Sequence, residues 1–173
     1  MTILVIGKFY MEGFALHIAE TLSGMGHVVR RFEPGLRVGR LPGRAGQRVD
    51  QVRSLLHSAS DNLPAFRARR MRALWDVVDK APIDVVIVCH DFLWPEEVHE
   101  LKRRSGAELV LWYPDHMAAF GKAMFMNAPY DALFFKDPYI VHVLSGVLAS
   151  PVHYLPECFN PDRHRLPEGE ATG

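Results

Sequence analysis

Ionisable residues stand just past the ends of four apolar runs in this 173-residue chain. Gly7-Lys8-Phe9-Tyr10-Met11-Glu12-Gly13 follows the first run, and His90-Asp91 follows Asp84 to Cys89. Pro114-Asp115-His116 follows Glu108 to Tyr113, and Lys136-Asp137 follows Asp131 to Phe135. Such residue types suit acid–base work. A carboxylate in a dry cleft can take a proton from a hydroxyl, and an imidazole can do the same near neutral pH. Asp115 and His90 are the candidates for that role. Each also has a plainer use: His90 as a strand-end side chain bonded to backbone, and Asp115 as the cap of a following helix. Two His and two carboxylates at neighbouring strand ends could also hold a metal for hydrolysis. No H-x-x-x-H spacing supports that, so no metal ligand is assigned.

Several chemistries lack their motifs. Gly7 and Gly13 are six residues apart with bulky residues between, which is no G-x-G-x-x-G dinucleotide fingerprint. No Gly-Lys-Ser/Thr opens the helix, so a Walker loop is absent. The turn is either a plain βα connection or a helix N-terminus able to face an anion. There is no G-x-S-x-G, and Cys158 lies in a Pro-rich segment, which argues against covalent catalysis. No tightly bound cofactor is expected.

The elements that must position these residues follow from hydrophobic period. Thr2 to Gly7 reads as a buried strand. Phe14, Ile18, Leu22 and Met25 recur at helical spacing, and Gly24 and Gly26 end that helix. His27 to Phe32 is the next strand. Pro34 to Gly46 reads as a surface loop or a short irregular strand, and a helix with Val49, Val52, Leu56 and Ala59 on its apolar face follows. A second helix starts near Pro64. Asp84 to Cys89, apolar on both faces, predicts a central parallel strand. Helices at Pro95–Arg104 and Pro138–Leu148 alternate with strands at Glu108–Tyr113, Asp131–Phe135 and Val152–Leu155. The pattern predicts an α/β fold: a Rossmann-like, mostly parallel sheet with helices on both faces. Right-handed crossovers place the strand ending at Gly7 beside the one ending at Cys89.

Composition sets outer bounds. The chain is 49% hydrophobic, with 20 basic and 20 acidic residues, which excludes a disordered chain. No apolar stretch reaches the ~20 residues of a spanning helix. No basic region precedes the apolar start, and the two cysteines match no zinc or disulfide pattern, so a cytoplasmic protein is expected. The neutral total hides an asymmetry. Arg30 to Arg72 holds eleven Arg and three acids, and the remainder holds nine basic and seventeen acidic residues. The first stretch is either a set of solvated helix faces or a surface for an anionic partner. Among such partners nucleic acid is not favoured.

A family pattern runs through the same residues. Gly26-His27-Val28-Val29 resembles the helix end found early in GT-B glycosyltransferases, and Asp84 to Asp91 resembles the strand entering their interdomain cleft. Leu111-Trp112-Tyr113-Pro114-Asp115 is similar to the aromatic-aromatic-x-Asp segment of CgeB-like, spore-maturation-type glycosyltransferases. Tyr130 to Lys136 and Tyr154-Leu155-Pro156-Glu157-Cys158-Phe159-Asn160-Pro161 fit the same group. The resemblance covers Ile3 to about Arg165. It implies one half of a GT-B architecture: an N-terminal, acceptor-side domain over 1–166, with 167–173 a mobile tail or truncated interdomain linker. The implied activity is transfer of a sugar from a nucleotide-sugar to an acceptor hydroxyl, and the charge of the Arg-rich stretch hints at an acidic or phosphorylated acceptor. The donor-binding domain would be supplied in cis or in trans and would hold the nucleotide-sugar co-substrate. Asp115 would be the general base if the reaction inverts configuration and would orient the acceptor if it retains configuration, with His90 beside it. Gly7, Glu12 and Gly13 would line the acceptor side of the cleft, His90, Asp91 and Asp115 would sit near the transferred sugar, and His116, Lys136 and Asp137 would be further substrate-binding residues of the cleft. A stand-alone Rossmann-like binding module without catalysis is the competing reading.

Overall fold

The structure, a computed structural model, describes residues 1–34, 63–116, 123–157 and 160. The expected loop beyond Pro34, the helix bearing Val49 to Ala59, Cys158 and the tail at 167–173 lie outside the described residues, as does most of the Arg-rich stretch.

Six short strands form one all-parallel sheet. They are β1 (Thr2–Ile6), β2 (Val28–Phe32), β3 (Val85–Cys89), β4 (Glu108–Tyr113), β5 (Ala132–Phe135) and β6 (Val152–Tyr154). Their order is β2-β1-β3-β4-β5-β6, so β1 does lie against β3, with Ile3 opposite Val85 and Ile6 opposite Val88. The helices are α1 (Phe14–Gly24), α2 (Pro64–Asp79), α3 (Pro95–Ser105) and α4 (Pro138–Ser145). A 3-10 turn at Met124–Asn127, which no period in the sequence announces, places Phe125 in the core.

Strand alternation divides the interior between two faces. Ile3, Val5 and Cys89 point to the side covered by α1, through Ala15, Ile18 and Ala19. Leu4, Ile6, Val86, Val88, Leu109 and Leu111 point to the other side, against α2, α3 and α4. The central strands are apolar on both faces because both faces are covered.

Local chemistry sets the element ends. Pro95 opens α3, Glu97 accepts a hydrogen bond from the Trp94 N–H, and Gly106 closes the helix at φ 61°. Helix α4 stops at Ser145, short of Leu148, where Gly146 gives up regular helix. Two carboxylates tie strand starts together. Asp84 accepts from the Thr2 N–H at 2.7 Å. Asp131 accepts from the Leu109 N–H at 2.9 Å and from the Lys102 ammonium.

Among the described glycines, Gly7 has the least room for a side chain. A Cβ there would lie 2.5 Å from Ala15 Cβ and 3.1 Å from Cys89 Cβ. Gly7→Ala is therefore expected to destabilise by about 1–3 kcal/mol through overpacking, measured as a lower midpoint in urea. Asp131 supplies a pH test. Desolvation works to raise its carboxyl, but the Leu109 N–H and Lys102 outweigh it and hold it below the ordinary value. A depressed folded pKa stabilises above the unfolded value of ~3.9 and stops doing so as pH falls through the folded one. The stability difference between wild type and Asp131→Asn, about 1 kcal/mol for a partly exposed group, should hold above about pH 5 and shrink in acid.

Candidate functional site

The sheet reverses its winding between β1 and β3, and the carboxyl ends of those strands open a crevice there, where open α/β sheets bind ligands. The crevice holds a cavity of about 300 Å³. The β1–α1 segment supplies Lys8, Tyr10, Glu12, Phe14 and Ala15. The end of β3 supplies Cys89, His90 and Phe92, the end of β4 supplies Pro114 and Asp115, and Glu157 closes the rim after β6.

His90 and Asp115 meet in it. His90 Nε2 lies 3.1 Å from Asp115 Oδ2. The other ring nitrogen, Nδ1, accepts the Asp91 backbone N–H at 2.8 Å. A nitrogen that accepts carries no proton, so the neutral ring bears its proton on Nε2 and donates it to Asp115. Both imidazole nitrogens are thus engaged. The plainer reading of His90, a strand-end side chain bonded to backbone, is what the geometry shows: the backbone bond selects the tautomer that faces Asp115. Asp115 is half exposed, at 50%, with His90 at 29%.

The backbone at His90 is in the left-handed region, at φ 88°, which a side-chain-bearing residue adopts at a cost. Neighbouring rings hold it there. Phe92 stacks on the imidazole with centroids 4.9 Å apart, and Tyr113 packs at 4.7 Å. Desolvation, with Asp115 and Asp91 nearby, pushes the Tyr113 phenol up to about 12, so it stays neutral. Cys89 is buried, and desolvation pushes its thiol up to about 12, which keeps it from acting as a nucleophile.

The remaining sequence candidates fall into distinct places. Glu12 lines the cavity. Gly7 and Gly13 are not among the lining residues, though Gly7 packs against Ala15 and Cys89, which are. A Cβ on Gly13 would meet the carbonyl oxygens of Lys8 and Tyr10 at 2.9 Å. Asp137 accepts the Tyr139 N–H at 2.9 Å and caps α4. Lys136 approaches the rim through its pair with Glu157 at 3.2 Å. Asp91, His116, Lys136 and Asp137 are not among the lining side chains. Among the described residues no three His, Cys, Asp or Glu side chains converge as metal ligands. Glu157 and the aromatic walls Tyr10, Phe14 and Phe92 were not singled out by sequence reasoning. Their distance along the chain hides them from one another, although Tyr10, Phe92 and Glu157 each stand within a few residues of a strand end.

No family model matches the chain, and no curated protein matches it. No helix among the described residues is long and apolar enough to cross a membrane.

The strain at His90 predicts an order of stabilities. His90→Gly relieves the backbone and His90→Ala does not, so the Gly variant should be the more stable of the two by about 1–2 kcal/mol in chemical unfolding. Equal stabilities would mean the backbone relaxes at this position without cost.

Proposed function

We propose that this chain is the acceptor-binding half of a GT-B glycosyltransferase, in which Asp115 is the general base of an inverting transfer. The observation that carries the reading is the His90–Asp115 pair at 3.1 Å on the wall of a switch-point cavity. The acceptor hydroxyl sits against Asp115 Oδ1, the oxygen His90 does not engage. As that hydroxyl attacks the anomeric carbon, its proton passes to Asp115. The bond to the nucleoside diphosphate breaks, and the diphosphate leaves with the electron pair. His90 Nε2–H holds the carboxylate in place throughout. The nucleotide-sugar is held by a donor-binding domain in cis or in trans.

The walls favour a polyhydroxylated acceptor. Tyr10, Phe14 and Phe92 offer flat apolar faces, and Glu12 and Glu157 can accept hydroxyl protons. Carboxylates outnumber cations among these lining residues, which favours a neutral acceptor over an anionic one. A cavity of this size matches a ligand at the small end of the usual range.

The test is nucleoside diphosphate release from a panel of nucleotide-sugars, using the protein as the cell makes it and extracts that contain its acceptors. Asp115→Asn should lower turnover by about 10²–10⁴-fold with the far-UV spectrum unchanged. Release at the wild-type rate by that variant would overturn the base assignment. No release with any donor would overturn the transferase reading.

A further inference from the structure

We propose that Arg67, on α2 and outside the cavity lining, is a positioning residue that sets the geometry of the His90–Asp115 pair through the loop between β3 and α3. The inference rests on reading that pair as the working centre of the site.

The loop runs from His90 to Trp94 and carries the strained φ of His90 at its start. Arg67 reaches across from the first turns of α2 and holds the loop at several points. Its Nη2 donates to the Phe92 carbonyl at 2.7 Å. Its Nε and Nη2 donate to the two oxygens of Glu97, each at 2.5 Å. Glu97 in turn accepts the Trp94 N–H at 2.8 Å, and the Arg67 guanidinium lies 4.5 Å over the Trp94 ring. The Arg67 and Glu97 side chains are each only 11% exposed.

The consequence for His90 is mechanical. Phe92 is fixed by its backbone carbonyl, and its ring is the one stacked on the imidazole. Holding that ring helps to hold the imidazole at a backbone angle that it would otherwise leave. The tautomer then follows, because in this loop conformation Nδ1 faces the Asp91 N–H. A bidentate guanidinium–carboxylate pair suits the task. It is planar and directional, and both partners are largely withdrawn from water. An exposed pair would be too loose to hold a loop.

A structural clamp alone would lower stability and leave the ring unchanged, so the readout must be the ring. The experiment is the imidazole ¹⁵N spectrum of the full chain, with His90 assigned by its loss in His90→Gln. The wild type should show His90 as one fixed tautomer, protonated on Nε2 and bare on Nδ1. Arg67→Leu should move both nitrogens toward the averaged positions of exchanging tautomers, with Arg67→Lys intermediate. Arg67→Leu leaves Glu97 buried without its partner and can fail to fold. The double variant Arg67→Met/Glu97→Gln removes both charges and must produce the same movement. Wild-type His90 signals in a folded Arg67 variant, or in the double variant, would overturn the proposal, whatever the melting temperature does. The spectrum needs no substrate. A failure to find sugar transfer therefore counts against the proposed function alone, and unchanged His90 signals count against Arg67 alone.

Discussion

The end of β1, the first turn of α1 and the end of β3 come together at Gly7, where there is room for a hydrogen and not for a methyl group. The site depends on that closeness. Parallel strands joined by right-handed crossovers must put β1 and β3 side by side if the chain winds to one face and then to the other. The loops leaving these two strands then diverge, and the crevice between them is a consequence of the winding. With α1 seated directly on β1, Phe14 and Ala15 become part of the crevice wall.

Within the crevice, a local cost is offset by tertiary contacts. His90 occupies a backbone region that side chains avoid, yet it makes two polar contacts and two ring contacts that hold it there. Neither ring nitrogen is idle. One reads the backbone and the other presents a proton to Asp115, so the imidazole transmits the loop geometry to the carboxylate. The buried Arg67–Glu97 pair lies behind that loop and joins α2 to the start of α3. Buried ion pairs offset much of their own attraction by desolvation, so its net contribution to stability is small.

The same logic explains which polar residues at strand ends belong to the site. Asp84 and Asp131 lie at strand starts and bond neighbouring backbone N–H groups, Asp137 caps a helix, and Lys136 pairs with Glu157. Among the described residues, Lys8, Glu12, His90, Asp115 and Glu157 bring basic or acidic side chains to the cavity, beside the Tyr10 phenol and the Cys89 thiol. A polar residue beyond a strand is a common feature, and its neighbours decide whether it serves the backbone or a ligand.

The sequence by itself determined the sheet, its parallel sense, the adjacency of β1 and β3, and the rim on which Asp115 and His90 stand. These follow from local period and from the handedness of crossovers, which act over a few residues or over one connection. Only the tertiary structure decided that His90 and Asp115 touch, that Nδ1 is occupied by backbone, and that Glu157 closes the cavity. Only it showed that Arg67 reaches Phe92 from 25 residues away. Most of those contacts join residues distant in the chain, and all of them depend on positions set to within a few tenths of an ångström. Hydrophobic periodicity carries no record of such geometry, because the pattern that buries a strand is the same whichever way the side chain just beyond it turns.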